Sequence, residues 1–232
     1  MLLSIIVPVY NEESTLQSIL DRVMNVNLYH EYSKEIVLVN DGSQDNSEEI
    51  ILDFIKKNPR ASMIYHRIES NKGKGNAVKQ ALKSCSGDIV VIQDSDLEYN
   101  PEDYNLLLDS LIKEKNDVVY GNRFNKKNKL RVSTGYVANR GITAMSNLLS
   151  GRKLNDIETG MKMFRKKVMN DIELIENRFG FEPEFTLKVL KKKQFKIAEV
   201  DIQYNPRGYN EGKKIGFKDG IRTVYCLFKY GI

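Results

Sequence analysis

Three acidic side chains at alternating positions follow an apolar run in VIQDSDLEYNPED, residues 91–103: Asp94, Asp96 and Glu98. In extended backbone, residues two apart point the same way, so Asp94 and Asp96 share a face and Glu98 joins them if the pattern continues. Carboxylates held that close raise each other's pKa unless a cation intervenes. A hard divalent ion, Mg²⁺ or Mn²⁺, resolves the conflict, because such ions take one or two protein carboxylates and complete their shell with phosphate oxygens and water. An EF-hand is excluded, since its further oxygen ligands and its glycine at a fixed offset are missing. Taken alone, the stretch could also be an acidic, solvated turn, the less favoured of the two readings.

Two other apolar runs end in polar groups. The first leads into Pro8-Val-Tyr-Asn-Glu12 and the second into Asn40-Asp-Gly-Ser-Gln-Asp45. Open α/β sheets bind ligands beyond the carboxyl ends of their strands, so the three sets should converge on one edge. An isolated Asp-Gly-Ser is ordinarily only a turn; three acidic strand ends on one edge argue for a site. Asn71-Lys-Gly-Lys-Gly-Asn-Ala77 opens a helix with Gly73 and Gly75, a placement suited to phosphate. Val78 stands where the dinucleotide fingerprint needs its third glycine, and no G-x-x-x-x-G-K-[ST] occurs, which disfavours an NAD enzyme or a P-loop NTPase. His30 and His66 have no identifiable partner and read as surface or packing residues.

The elements that must position these groups alternate between apolar runs and amphipathic stretches, the pattern of βα units around a mostly parallel sheet. Strands are expected at 2–9, 35–39, 62–68, 89–93, 117–120, 161–164 and 196–203. Helices are expected at 13–26, from Asp45, at 75–84, from Pro101 to Ile112, at 136–149 and at 183–192, with an amphipathic helix over the last fifteen or so residues. Residues 124–135, FNKKNKLRVSTG, read as a mobile polar loop.

At 232 residues, the chain is long enough for one large core. The apolar start is cut short by Asn11, Glu12 and Glu13 and reads as a strand, not a leader. No window approaches the ~20 apolar residues that cross a bilayer, so any membrane contact is expected to be peripheral. Cys85 and Cys226 have neither disulfide nor zinc spacing, which suits a reducing, cytoplasmic compartment. The net charge of +5 is uneven: from Lys191 onward, ten Lys or Arg stand against four acids. That segment would attract phosphate-bearing ligands or an anionic membrane, or it is an ordinary solvated face. Nothing in the chain points to nucleic acid.

PVYNE, NDGSQD, NKGKGNA, QDSDLE, GNR at 121–123, DIETGMKMFR at 156–165, NRFGFEPE at 177–184 and YNPRGYNEGKKIGFKDG at 204–220 occur in this order. Together they resemble the inverting family-2 glycosyltransferases, in the branch that serves dolichyl or polyprenyl phosphate. The resemblance implies an α/β GT-A fold, a Rossmann-like arrangement with a mostly parallel central sheet flanked by helices. It implies one domain, with 1–121 binding a nucleotide-sugar, 122–214 on the acceptor side and 215–232 an amphipathic helix. Pro8, Tyr10, Glu12 and Asp41 match positions that contact base and ribose. Asp94, Ser95 and Asp96 match the D-x-D motif that holds the diphosphate through Mg²⁺ or Mn²⁺. Glu98 falls where this branch often has Gln, and is expected as a third ligand. Arg123 matches the G-x-R arginine, and Arg207 with Lys213 or Lys214 the late basic residues that grip phosphate. Asp96, Arg123 and Arg207 are thus the expected catalytic residues.

The implied reaction is inverting transfer of a hexose, mannose or glucose, from GDP-mannose or a UDP-sugar to polyprenyl phosphate at the cytoplasmic membrane face. A phosphate nucleophile is already anionic and needs no strong base. Arg131 and Arg140 are further candidates to position phosphate, or plain structural residues. The chain has no Trp, so the Q-x-x-R-W motif of processive synthases is absent. Phe217, Ile221, Val224, Tyr225 and Phe228 are spaced to share a helical face with Lys218, Arg222 and Lys229 at its flanks, either docking on a membrane surface or membrane-protein partner or packing on the core. One alternative is a hydroxyl acceptor, which needs a carboxylate base from among Asp156, Glu158, Glu182 and Glu184. Another is a silent nucleotide-sugar-binding module.

Overall fold

The computed structural model describes residues 1–29, 32–128, 130, 133–208 and 216–231, with only the backbone of 217 and 218. His30, Arg131, Lys213 and Lys214 lie outside the described residues, as do the side chains of Phe217 and Lys218.

Among the described residues, seven strands form one sheet: β1 (Leu2–Val9), β2 (Ser33–Asn40), β3 (Met63–Arg67), β4 (Ile89–Ile92), β5 (Val118–Asn122), β6 (Lys162–Arg165) and β7 (Ile197–Asp201), in the order β3-β2-β1-β4-β6-β5-β7. All pairings are parallel except those of β6, which runs against both β4 and β5. The central strands are apolar at successive positions because both faces are covered. Ile5 and Val7 point into one core layer with Leu16 of α1 (Leu16–Asn25), Ile51 of α2 (Ser47–Lys57) and Leu107 of α4 (Tyr104–Lys113). Ile6 and Val37 point the other way, toward Ala77 of α3 (Lys74–Ser84) and Phe185 of α6 (Phe181–Lys191).

The element pattern agrees with the sequence to within a few residues at most ends. In α1, Leu16, Ile19, Leu20 and Val23 recur at helical spacing and are all buried. α5 (Thr134–Ser150) begins where Ser133 Oγ accepts from the Tyr136 amide and stops at Gly151, whose φ of 65° is the left-handed cap. Residues 124–128 are tied down, contrary to the expected mobile loop: Asn125 and Asn128 side-chain amides both donate to the Ile202 carbonyl.

The last helix, α7 (Phe217–Gly231), packs on the core through apolar residues other than those of the expected face. Cys226, Leu227 and Tyr230 are buried against α5 and α6, while Ile221, Val224, Tyr225 and Phe228 remain 40–57% exposed. Glu176, itself 5% exposed, anchors the helix by accepting from Arg222 Nε and Nη2 and from Tyr230 Oη, each at 2.9 Å. Burial opposes ionisation of Glu176, yet the bonds from Arg222, Tyr230 and Lys229 hold its carboxyl below the usual carboxylate range.

A carboxyl lowered in the folded state contributes stability above its unfolded pKa of about 4.3 and loses it as pH falls through the folded value. Glu176→Gln should therefore accelerate amide exchange across Phe217–Gly231 by about tenfold or more at neutral pH, with a smaller difference from wild type below about pH 4. Unchanged exchange would show that apolar burial alone holds the helix.

Candidate functional site

A cleft of about 1180 Å³ opens at the carboxyl edge of the sheet and is lined by Pro8, Tyr10, Glu12, Asp41, Asp94, Ser95, Asp96, Glu98, Arg123 and Arg207. These ten, the described residues expected to bind nucleotide-sugar or metal, thus line one cleft. β1, β2, β4 and β5 deliver theirs because their carboxyl ends share that edge. The antiparallel β6 starts there, so the segment before it adds Glu158 and Gly160.

The geometry at Asp94–Glu98 differs from the extended arrangement that the alternation suggested. β4 stops at Ile92, and Asp96 Oδ1 accepts from the Glu98 amide at 3.0 Å, turning the chain. Glu98 therefore diverges: its oxygens accept from Tyr204 Oη at 3.1 Å and from the Arg207 amide at 2.7 Å. In this arrangement Glu98 does not share a face with Asp94 and Asp96, as extended backbone would require. Among the described residues, no three His, Cys, Asp or Glu side chains gather closely enough to hold one ion. Glu98 instead stitches the 98–99 segment to 204–207, beside the bridge between Tyr99 and Tyr204.

Glu12, Asp94, Asp96, Asp156 and Glu182 are each met by a lysine or an arginine. Arg207 Nη2 lies 2.6 Å from Asp96 Oδ2, and its Nη1 lies 3.0 Å from Glu12 Oε2. Lys74 Nζ lies 2.6 Å from Asp94 Oδ1 and 3.0 Å from Glu182 Oε1. Glu182 is held from its other side by the fully buried Lys162. Arg123 grips Asp156 through Nε at 2.6 Å and Nη2 at 2.8 Å. Burial, with the charges of Asp94 and Glu98, still pushes the Asp96 carboxyl up to about 7 against the pull of Arg207. Burial alone would lower the Lys74 pKa, but Asp94 and Glu182 outweigh it and raise it.

Lys74 is the main residue that sequence reasoning missed, although NKGKGNA was a visible signal. Asp41, expected at the nucleoside, organises that loop by accepting from the Lys72 amide at 3.0 Å, the Gly73 amide at 2.6 Å and Asn71 Nδ2 at 3.1 Å. Gly73 has a φ of 101°, and a Cβ there would lie 2.6 Å from the Asn177 carbonyl. The loop so formed aims Lys74 at Asp94. Arg140 is engaged structurally, donating to the Asn155 carbonyl and stacking over Phe124. His66 is satisfied by Ser84, as a packing residue would be.

Three of the four acids weighed as a base are committed elsewhere. Asp156 is clamped by Arg123, Glu182 by two lysines, and Glu184 by the amides of Ile175 and Glu176 and by Lys188. Glu158 lines the cleft, and burial followed by the charge of Glu182 pushes its carboxyl up to about 7. Away from the charged groups, the cleft continues as an apolar trough between α5 and α7, lined by Ile142, Met145, Ile221, Val224 and Leu227.

The glycosyl transferase family 2 model matches residues 4–173. A dolichyl-phosphate beta-glucosyltransferase of Trichomonas vaginalis is 27% identical over 99% of this chain and 73% of its own length. A dolichol-phosphate mannosyltransferase of Pyrococcus furiosus is 30% identical over 99% of this chain. This chain spans only 64% of that relative. In structure, the glucosyl-3-phosphoglycerate synthase of Mycobacterium tuberculosis, solved with Mn²⁺, UDP-glucose and phosphoglyceric acid, superimposes with a TM-score of 0.71 at 19% identity, covering 99% of this chain and 79% of that one. The shared fold is that of the GT-A glycosyltransferases.

The packing of Gly160 on Asp94 yields a paired stability test. A Cβ at Gly160 would overlap Asp94 Oδ2 and crowd Tyr99, whereas one at Gly141, inside α5, meets nothing within 4 Å. Gly160→Ala should destabilise by about 1–3 kcal/mol, and Gly141→Ala should stabilise by roughly 0.5–1 kcal/mol through helix propensity. Urea denaturation of the two variants checks both signs.

Proposed function

Because the chain belongs to glycosyl transferase family 2, we propose that it is an inverting transferase moving mannose or glucose from a nucleotide-sugar to polyprenyl phosphate. The observation that carries this reading is the shape of the cleft. Charged groups suited to phosphates stand at one end, and the apolar trough between α5 and α7 continues from them. A lipid phosphate presents the same two chemistries in the same order. The names of the glucosyl- and mannosyltransferase relatives support the acceptor class.

In this reading, the nucleoside of GDP-mannose or a UDP-sugar lies against Pro8, Tyr10, Glu12 and Asp41. Asp94 and Asp96 are the hard oxygen donors that would hold Mg²⁺ or Mn²⁺, and the raised Asp96 carboxyl is a group that a second positive charge would restore to its ionised form. The bound ion would neutralise charge developing on the departing diphosphate. Arg207, now on Glu12 and Asp96, can offer its planar guanidinium to phosphate oxygens instead. Arg123 works through Asp156, fixing the loop before β6. The phosphate acceptor attacks in its anionic form, so no protein base is required, in keeping with the commitment of Asp156, Glu182 and Glu184. Residues 1–121 would serve the donor, 122–214 the acceptor and 215–232 the membrane.

The exposed row of Ile221, Val224, Tyr225 and Phe228, flanked by Arg222 and Lys229, suits an anionic lipid surface at the cytoplasmic face. Among the described residues, no helix is long and apolar enough to cross a membrane.

Radiolabelled GDP-mannose, UDP-glucose or UDP-N-acetylglucosamine, incubated with Mn²⁺ and a short polyprenyl phosphate, should transfer label to the organic phase with one of the donors. Label that stays aqueous with every donor defeats the reading. Asp96→Asn should lower turnover by roughly 100-fold or more. Co-sedimentation with anionic liposomes should occur at low salt, weaken at high salt and be lost in Phe228→Asp; absence of binding at low salt removes the membrane role.

A further inference from the structure

Glu158 stands apart from the other acids of the cleft. Asp94, Asp96, Asp156 and Glu182 each meet a lysine or an arginine. Glu158 Oε1, by contrast, is buried and has no hydrogen-bond partner among the described residues. A buried polar oxygen without a protein partner is destabilising, and such an atom inside a cleft is offered to a ligand. The cations nearest in charge terms, Lys162 and Arg123, are already held by Glu182 and Asp156. They bias Glu158 without engaging it.

Its position in the fold says which part of a ligand it would meet. The sheet order puts the β1 and β2 ends on one side of Asp94 and Asp96, and the segment entering β6 on the other. With the nucleoside over β1 and β2 and the diphosphate at the end of β4, the hexose must extend toward β6. Gly160 packs directly on Asp94 there, and Glu158 precedes it by two residues while still lining the cleft. We propose that Glu158 recognises ring hydroxyls of the donor hexose and so determines which sugar is accepted, an inference that rests on the nucleotide-sugar reading above.

The chemistry suits the task. A carboxylate can accept from two hydroxyls, and a protonated carboxyl can donate to one and accept from another. Burial, Glu182 and Asp156 favour the neutral form, while Lys162 and Arg123 favour the charged one, with the balance near pH 7. Either form bonds to a sugar hydroxyl, which both donates and accepts. A site that leaves its own polar group unpaired when the wrong epimer binds discriminates far more strongly than an apolar pocket does.

Titration calorimetry in Mn²⁺ tests this by comparing UDP-glucose with UDP, and GDP-mannose with GDP, on wild type, Glu158→Ala and Glu158→Gln. Glu158→Ala should weaken the preferred nucleotide-sugar by about 10- to 100-fold and leave its nucleoside diphosphate within about twofold. Glu158→Gln, which keeps one acceptor and gains a donor, should recover part of the loss. Equal weakening of both ligands would assign Glu158 a structural role. Unchanged nucleotide-sugar affinity with lost turnover would make it a base, and either result overturns the proposal. So does a wild type that binds no nucleotide-sugar more tightly than the matching nucleoside diphosphate. Failure to bind any nucleotide defeats the nucleotide-sugar reading itself, whereas intact binding without lipid product defeats only the choice of acceptor.

Discussion

Carboxylates gathered at one sheet edge have to be neutralised, and the cations that do so organise the cleft. Asp94, Asp96, Asp156 and Glu182 receive Lys74, Arg207, Arg123 and Lys162, each from a different segment of the chain. Removing one member of such a pair leaves a buried charge uncompensated, at about 3–5 kcal/mol where burial is deep. The pairs therefore add charged ties to loops that also bury apolar residues such as Tyr99 and Ile157. Lys74 ties the start of α3 to the end of β4 and to α6, and Arg123 ties β5 to the segment before β6. Arg207 ties the 204–207 stretch to β1 and β4. A site held by opposed charges keeps its dipoles aimed in advance, which is the condition for electrostatic stabilisation of a charged transition state.

The reversed strand β6 is the topological device behind this arrangement. In a wholly parallel sheet the segment before a strand lies at the opposite edge, away from the ligand. Because β6 runs against β4 and β5, residues 156–160 instead arrive at the edge where β4 delivers Asp94 and Asp96. Gly160 allows the approach, since any side chain there would strike Asp94. One antiparallel strand thus brings residues of the second half of the chain into a cleft whose other wall comes from the first half.

The strand ends and their convergence were legible because they follow from local rules. Apolar runs set the strands, and polar residues just beyond them mark the ligand edge. Asp94, Asp96, Glu12 and Asp41 could be named on that basis. The partner of each acid could not be read, since Arg207 and Asp96 are 111 positions apart and Arg123 and Asp156 are 33 apart. Nothing in spacing encodes such pairings. The direction of the Glu98 side chain was hidden for a different reason. The alternation rule holds only while backbone is extended, and the Asp96 side chain ends the extension by capping a turn onto the Glu98 amide. The direction of β6 was equally hidden, because a four-residue run such as KMFR carries no sign of orientation. The double character of α7 escaped because apolar residues on two sides of a helix blur the stripe that normally reveals which side is buried.

Arg207 joins the two chemistries that the cleft contains. Its segment supplies much of the chain's positive charge, and the guanidinium faces the carboxylates of Glu12 and Asp96. Under the proposed reading these two facts are compatible, because exchanging partners conserves charge. A guanidinium that leaves Glu12 and Asp96 for phosphate oxygens would exchange anionic partners, and a divalent cation held by Asp94 and Asp96 would supply positive charge beside Asp96. Such an exchange would keep Asp96 and the guanidinium paired throughout and so avoid much of the desolvation cost that separated steps would carry. The backbone of Arg207 stays fastened meanwhile, since its amide donates to Glu98. Glu98 thus fastens the backbone from which the Arg207 side chain reaches Glu12 and Asp96.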